Sequence, residues 1–210
     1  MELALEQLPR ADRRDQSELN KIIGESYFNL GEYEKAIPYL TEYKGQRGKW
    51  NNTDYYQLGY AYFQQGEYEK AINEFNKIID GKNAVAQNAY YHLAQSYLKT
   101  DKKQEALNAF KNASEMDFNE KIKADAALNY AKLSYEIGNS YESVPQVLMT
   151  YMENYPDSPA KDEIRELLVN SFITTKNYEE AMRLLQNNRN FENNLVYQKV
   201  AFYRGLELYN

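Results

Sequence analysis

The sequence contains no cysteine, which excludes a disulfide framework, a thiol nucleophile and a cysteine-ligated zinc or iron–sulfur site. It has one histidine, His92, which cannot form a multi-histidine metal site. Acidic residues outnumber basic ones by 31 to 25, and the net charge of −6 argues against nucleic acid as a partner. The mean hydropathy of −0.82, without a long apolar run, predicts no direct insertion into a membrane.

The sequence also lacks the combinations of residues that catalysis requires. His92 has no serine at a recognisable spacing, and no glycine-rich loop could cradle a phosphate. The acidic pair Glu67 and Glu69 stands where a second helix is expected to begin, and there negative charge complements the helix N-terminus. We therefore predict that the protein is not an enzyme and that it holds no metal or other cofactor.

The two ends of the sequence bear on the length of the parent protein. Met1 is followed by ELALEQL, without the basic and apolar regions of a signal peptide. The last residues, Leu208 to Asn210, lie inside an apolar helical pattern. We interpret the chain as a segment of a longer protein, so the missing signal peptide does not report the compartment.

Tyrosine is abundant, with 21 among 210 residues, and much of it belongs to a pattern that recurs every 35 to 38 residues. A copy consists of a small residue, an aromatic residue in all but the fourth copy, a turn, a second small residue and a large apolar residue. The first small residues are Gly24, Gly59, Ala94, Ala131 and Val169. The turns lie at Gly31, Gly66, Asp101, Gly138 and Lys176-Asn177. In the fifth turn we expect the asparagine to adopt positive φ.

One copy of the pattern shows the physical basis of the repeat. In the second copy, Leu58, Gly59 and Tyr62 fall on one helical face, and Ala71 and Phe75 fall on another. The small residues let two antiparallel helices approach closely. Such a hairpin cannot bury both faces alone, so it must stack on its neighbours.

This spacing resembles the tetratricopeptide repeat over about residues 17–187. The residues that match the family pattern in the second copy are Tyr55, Leu58, Gly59, Tyr62, Ala71 and Phe75. The resemblance implies an all-α, right-handed superhelical solenoid of stacked antiparallel helix pairs, forming a single domain over 1–210. The predicted repeats are about 17–51, 52–86, 87–123, 124–161 and 162–194, with 2–8 and 195–209 as helices of incomplete flanking repeats. An unrelated helical bundle with accidental periodicity is the alternative.

Three residues carry specific expectations. Pro145 lies early in a second helix, where proline is tolerated, and predicts a shifted helix start. Pro38 lies deeper in its helix and predicts the loss of one hydrogen bond. Trp50, the only tryptophan, lies in a glycine-containing linker and is expected to fill the space between two repeats.

The resemblance implies that the first helix of each repeat lines a concave groove. The predicted partner-binding residues at the inward positions are Phe28, Tyr56, Tyr60, Phe63, Tyr91, Gln95, Leu98 and Tyr135. Tyrosine offers a large, rigid contact area with a polar tip, which favours a protein or peptide as the partner. In the alternative interpretation, some of these residues pack between repeats.

Charge at the inward positions narrows the class of partner. Six acidic residues and three lysines occupy the inward positions, and this excess of acidic residues favours a neutral or basic partner segment. The clamp with which some repeat proteins hold a C-terminal carboxylate is not expected. Lys21 fits one position of that clamp, but Glu25 stands where an asparagine belongs.

Three functions remain open: a non-catalytic interaction scaffold, a structural or oligomerisation spacer of a larger bacterial envelope protein, and part of an enzyme whose active region lies outside this chain. The segment Tyr155–Pro159 is similar to a linker of exported bacterial repeat proteins of the Tol–Pal and outer-membrane assembly type. It predicts a periplasmic or outer-membrane-associated protein, with the cytoplasm as the alternative. In the isolated segment the terminal helices can pair between two chains, and such a homodimer would result from separating the segment from its parent protein.

Overall fold

The computed structural model describes residues 1–78, 81–187 and 194–209, and within these ranges the chain forms helices and no strand. A short 3₁₀ helix, Leu8–Arg10, follows the first α-helix. The α-helices are α1 (Glu2–Gln7), α2 (Arg13–Asn29), α3 (Tyr33–Glu42), α4 (Asn52–Gln64), α5 (Tyr68–Phe75), α6 (Ala84–Lys99), α7 (Lys103–Ser114), α8 (Glu120–Ile137), α9 (Val144–Asn154), α10 (Lys161–Thr175), α11 (Tyr178–Asn187) and α12 (Asn194–Tyr209).

The helices are organised in two compact units, Met1–Lys123 and Ala124–Asn210. In the first unit, α2 packs on α3, α4 on α5 and α6 on α7. The first helices of these pairs are also neighbours, since α4 contacts both α2 and α6. In the second unit, α9 packs on α10, and α12 packs on α10 and α11. Stacked helix pairs confirm the predicted all-α solenoid.

Close approach of the paired helices depends on glycine in the first two copies. A Cβ atom placed on Gly24 would lie 2.8 Å from the Leu40 Cδ2 atom. A Cβ atom placed on Gly59 would lie 2.9 Å from the Cε1 atom of Phe75, whose side chain is fully buried. The predicted role of these small residues is therefore confirmed.

The turn within each pair needs one residue with positive φ. Gly31 and Gly66 supply it in the first two copies, with φ values of 76° and 75°. In the fifth copy the expectation of positive φ at the asparagine was wrong, because Lys176 takes φ 50°. Asn177 instead directly precedes α11, and its carbonyl oxygen accepts a hydrogen bond from the Ala181 N–H at 3.0 Å.

Side-chain caps set the starts of several first helices. The Asp12 carboxylate accepts hydrogen bonds from the backbone N–H groups of Arg14 and Asp15, both at 2.9 Å, so α2 begins before the predicted repeat start. At α4, Asn51 and Asp54 form a reciprocal capping box. At α6, the Asn83 side chain accepts a hydrogen bond from the Ala86 N–H at 2.9 Å. The boundaries of the repeats stay a prediction.

Trp50 fills the space between the first two repeats, as predicted. Its Nε1–H group donates a hydrogen bond to the Tyr43 carbonyl oxygen at 2.9 Å. Its ring lies 5.2 Å from the Tyr55 ring, centroid to centroid, and packs against the buried cluster that contains Leu40 and Leu58. One indole ring therefore connects the end of the first repeat to the start of the second.

Gln87 is a fully buried polar residue that holds the linker after α7. Its Nε2 atom donates to the carbonyl oxygens of Ala113 at 3.1 Å and Met116 at 2.6 Å. Its Oε1 atom accepts from the Asn119 N–H at 2.7 Å. The side chain thus supplies hydrogen-bond partners to backbone groups at the C-terminal end of α7 and in the linker that follows it.

The helix bounds test the prediction for Pro145, and the loss of a hydrogen bond at Pro38 stays a prediction. Pro145 lies in the first turn of α9, which starts at Val144, and this confirms the shifted start. Pro38 lies inside α3.

In the segment predicted to be similar to exported proteins, Ser158 is hydrogen-bonded to the end of α9, with the hydroxyls of Tyr151 and Ser158 at 2.7 Å. The similarity itself and the compartment stay predictions.

Helices occupy both terminal segments, as expected from the sequence. The last helix, α12, exposes Phe202, Leu206 and Tyr209. Pairing of the terminal helices between two chains stays a prediction. Residues 188–193, near the end of the predicted fifth repeat, lie outside the described residues. Within the part of the chain that the structure describes, none of the helices has the length and apolarity needed to cross a bilayer.

Candidate functional site

The first unit carries a continuous cluster of aromatic rings on the side of α2, α4 and α6. We call it the aromatic surface. Its members are Phe28, Tyr33, Tyr56, Tyr60, Phe63, Tyr68, Tyr91 and His92. Each of these side chains is half-buried, so each has one part packed against the protein and another in contact with solvent.

Tyr60 is the centre of the aromatic surface. Its ring lies 5.8 Å from Phe28 of α2 and 4.9 Å from His92 of α6, measured between centroids, and both pairs have edge-to-face geometry. Tyr33 approaches the same ring edge-on at 5.6 Å, while Tyr56 stacks on it at 5.8 Å. These separations are favourable for aromatic pairs, so the rings hold one another in place across three repeats.

Phe63 extends the surface along α4. Its ring lies 6.2 Å from Tyr60, 5.2 Å from His92 and 5.8 Å from Tyr68 of α5. Tyr91 extends it on α6, at 5.3 Å from His92. The surface therefore has continuous ring contact both along one helix and across neighbouring helices.

The aromatic surface is also part of the packing between repeats. Tyr56 lies 6.0 Å from the fully buried Phe75. Burial, together with the neighbouring hydroxyls of Tyr60 and Tyr33, raises the pKa of Tyr56 above its usual range. Burial likewise raises the pKa of Tyr33. Both phenols are neutral at physiological pH, and the Tyr33 hydroxyl has that of Tyr60 as a hydrogen-bond partner.

His92 has the environment of a packing residue. Its Nδ1 atom lies 3.0 Å from the Gln95 Oε1 atom, and five aromatic rings surround its own. Burial lowers the pKa of His92, so the ring is neutral near pH 7. Across residues 1–78, 81–187 and 194–209, no group of His, Asp and Glu side chains is arranged to hold a metal ion.

The structure brings together most, but not all, of the predicted groove residues. Gln95 joins the aromatic surface through its hydrogen bond to His92. Leu98, near the end of α6, is exposed. Tyr135 belongs to the second unit, where it lines a cavity of about 640 Å³ with Pro145 and Phe172.

Several charged residues at inward positions neutralise one another. The Lys21 Nζ atom lies 3.0 Å from the buried Asp54 carboxylate and 3.8 Å from Glu25. In the second unit, Lys132 pairs with Glu163 at 2.7 Å. Lys21 is thus already engaged by carboxylates of its own chain, which agrees with the absence of a carboxylate clamp.

The prediction from the sequence missed three members of the aromatic surface. Tyr33 and Tyr68 belong to second helices, which the inward positions of the repeat do not include. Their signal was their recurrence 35 residues apart, two residues after the turn glycine. His92 is outside the predicted inward positions, and its position among the rings of its neighbours depends on contacts between repeats.

Comparisons with known proteins agree with this architecture. The family model described as "Tetratricopeptide repeat" matches residues 22–44, and the model described as "Anaphase-promoting complex, cyclosome, subunit 3" matches residues 40–113. No curated protein sequence matches the chain.

Solved structures of repeat proteins share the fold at low sequence identity. YrrB, described as a TPR protein with an unusual peptide-binding site, is 16% identical with a TM-score of 0.56, over 92% of both chains. A crystal structure of MamA is 16% identical with a TM-score of 0.55, over 90% of this chain and 98% of that one. MamA from Desulfovibrio magneticus RS-1 is 18% identical with a TM-score of 0.53, over 92% and 96%.

The family matches cover the copies in which glycine lets the paired helices approach closely, and the structural matches cover about nine-tenths of the chain. Over residues 22–44 the chain matches the tetratricopeptide repeat model, and it shares the fold of the TPR protein YrrB.

Proposed function

We propose that this protein is a non-catalytic scaffold that binds a segment of another protein on the aromatic surface of its first unit. The observation that carries the proposal is the continuous, half-exposed row of rings from Phe28 through Tyr60 to His92. Large aromatic side chains with one exposed part are enriched at protein interfaces and contribute much of their binding energy.

Mutual packing of the rings supports this function. Binding normally costs conformational freedom in the side chains that become ordered. Tyr60 is already contacted by Phe28, Tyr56 and His92, so little of that freedom remains to be lost. A preorganised surface of this kind suits binding without a large rearrangement.

Charge supports a neutral segment over a basic one. The aromatic surface consists of phenylalanine and tyrosine side chains and the neutral His92, and Lys21, an inward lysine of the same unit, is engaged by Asp54 and Glu25. The peptide-binding site described for YrrB, which shares the fold, supports a peptide segment as the partner class.

Selection from a library of random peptides tests the proposal without a known partner. We expect peptides that bind the immobilised 210-residue chain and are lost when Phe63→Ser removes one ring of the surface. Phe118→Ser is the matched control, because Phe118 is an exposed phenylalanine of the same unit outside the aromatic surface. Circular dichroism melting of both variants separates loss of binding from loss of folding.

Two results would contradict the proposal. One is a selection that enriches no peptide on the folded wild-type chain. The other is a set of peptides that bind Phe63→Ser as tightly as the wild type, because such peptides would occupy another surface.

A further inference from the structure

We propose that the cavity of the second unit binds an aromatic side chain of a partner segment, in the space that tyrosines of this chain fill in other repeats. The cavity lies between α8, α9 and α10, and its volume of about 640 Å³ is typical of a ligand site. It is a second site, in a different unit from the aromatic surface, so the inference does not depend on the proposed function.

The cavity exists because one second helix begins late. In four helix pairs the second helix begins two residues after a residue with positive φ, at Tyr33, Tyr68, Lys103 and Tyr178. In the fourth pair the residue with positive φ is Gly138, and α9 begins only at Val144. The helix therefore lacks about one turn at its start. Ser143, Val144 and Pro145 line the cavity at the place of the missing turn.

In the first unit a tyrosine from that first turn fills the corresponding space. The Tyr33 ring lies edge-on to Phe28 at 5.5 Å and to Tyr60 of the next repeat at 5.6 Å, measured between centroids. The Tyr68 ring lies edge-on to Phe63 at 5.8 Å. An aromatic ring is thus what this fold places between the end of a first helix and the following repeat.

The fourth pair keeps the wall of this space but not the tyrosine. Tyr135 stands three residues before Gly138, as Phe28 stands three residues before Gly31, and Tyr135 lines the cavity. The next tyrosine, Tyr141, follows Gly138 by three residues instead of two. Its side chain is 63% exposed and does not line the cavity.

Hydrogen bonds hold the segment before α9 in this arrangement. The Asn139 Nδ2 atom donates to the Tyr130 hydroxyl oxygen at 2.7 Å, and the Tyr130 hydroxyl donates to the Glu142 Oε1 atom at 2.9 Å. The Tyr141 N–H donates to the Asn139 Oδ1 atom at 2.9 Å. Tyr141 therefore lies between two residues that are anchored to the same hydroxyl, and the cavity stays open to a ring from outside.

The lining of the cavity favours an uncharged aromatic ring. Tyr135 and the fully buried Phe172 offer ring surfaces, and pairs of rings gain free energy beyond that of apolar burial. The hydroxyls of Ser171 and Thr175 already donate to backbone carbonyl oxygens of α10, at 2.8 and 2.9 Å. The lining also includes the carboxylate of Glu136, which disfavours an acidic ligand.

Fluorine NMR titration of the full chain tests the inference with a defined probe. The probe is the N-acetyl amide of para-fluorophenylalanine, and the N-acetyl amide of leucine competes with it as the aliphatic comparison. We expect the aromatic amide to bind about fivefold more tightly than the leucine amide. The same fluorinated side chain at the centre of a short alanine peptide should bind at least as tightly as the amide, because the proposed ligand is a segment of a protein.

Two alanine variants locate the probe. Tyr135→Ala removes one ring of the lining, and we expect about fivefold weaker binding. Tyr141→Ala is the matched control, since it removes an exposed tyrosine of the same unit that does not line the cavity. Circular dichroism melting of both variants shows that they are folded.

Deletion of Ser140 tests the origin of the cavity. It places Tyr141 two residues after Gly138, which is the spacing of Tyr33 and Tyr68 from their turn glycines. We expect Tyr141 to fill the cavity, so that probe binding falls at least about tenfold while the melting temperature does not fall. If this variant does not fold, the comparison of Tyr135→Ala with Tyr141→Ala still decides the inference.

Several results would overturn the inference. Equal binding of the two amides would remove the preference for an aromatic ring, and exclusion of the alanine peptide would indicate a site for small molecules alone. Equal binding by wild type and Tyr135→Ala would place the probe elsewhere. Tighter binding by Tyr141→Ala than by wild type would show that Tyr141 itself occupies the cavity.

One further variant keeps this inference distinct from the proposed function. Phe63→Ser, which tests the aromatic surface, should leave binding of the fluorinated probe unchanged. Loss of probe binding in the folded Phe63→Ser variant would place the probe on the aromatic surface and overturn the inference.

Discussion

The two units build the same helix pairs from different side chains. In the first unit the paired helices meet at Gly24 and Gly59, and aromatic rings fill the space beside them. In the second unit the equivalent small positions hold Ala131 and Val169, and the core contains Met149 and Leu168 beside the aromatic ring of Phe172. Partly exposed rings that join neighbouring first helices are described in the first unit, so the two units differ in the contacts between their first helices.

The two units also differ in how deeply a hydrogen-bonding amide side chain is buried. Gln87 of the first unit is fully buried and joins three backbone groups of one linker. Asn139 of the second unit is half-buried and joins the Tyr130 and Ser134 hydroxyls at 2.7 and 3.0 Å. The first unit thus depends more on a single side chain to hold its connection.

The largest expected effect comes from removing that anchor. Gln87→Leu leaves the carbonyl oxygens of Ala113 and Met116 and the Asn119 N–H without their partner in a buried site. We expect a loss of about 2–4 kcal/mol in the free energy of unfolding. Urea denaturation followed by circular dichroism measures it.

Asn139→Ala is the counterpart in the second unit. Because Asn139 is partly exposed, water can replace the hydrogen bonds of its side chain. We therefore expect the free energy of unfolding to fall by about 1 kcal/mol. Equal losses for the two variants would remove the difference in anchoring between the units.

The next effect tests the glycine contacts. Gly59→Ala adds a Cβ atom that would lie 2.9 Å from the Phe75 Cε1 atom. This distance is too short for a normal contact, so the helix pair must separate. We expect a loss of about 1–3 kcal/mol. Gly205→Ala in α12 meets no atom within 4 Å and should stabilise the protein by about 0.5–1 kcal/mol through helix propensity. Stabilisation by both substitutions would show that the first unit can relax around Gly59.

The smallest effect is the pH dependence due to His92. Burial lowers its pKa in the folded state, so the unfolded chain takes up a proton at a higher pH than the folded one. Stability from this residue is therefore complete above the unfolded pKa of about 6.5 and falls as the pH drops below it. Between about pH 7 and pH 5, melting temperature should fall more for wild type than for His92→Gln. Parallel curves for the two proteins would contradict the prediction.

Much of the fold was predictable because a repeat is a local pattern. The small residues at Gly24 and Gly59, the turns at Gly31 and Gly66 and the apolar faces all lie within about 20 residues of their partners. The helix starts were less accurate, since caps such as Asp12 lie before the repeat pattern begins. The positive φ of Lys176 was predicted for Asn177 instead, because asparagine has the stronger preference for positive φ.

The amino-acid sequence alone was sufficient for the helical repeat, the absence of cysteine chemistry and the positions on the first helices where large aromatic side chains recur. Folding added the contacts between repeats, which join residues about 30 positions apart, such as Phe28 with Tyr60 and Tyr60 with His92. It also brought Tyr33 and Tyr68 from second helices onto the same surface and paired Lys21 with Asp54. A periodic pattern specifies which face of a helix is buried, whereas the angle and distance between stacked helices determine which rings meet.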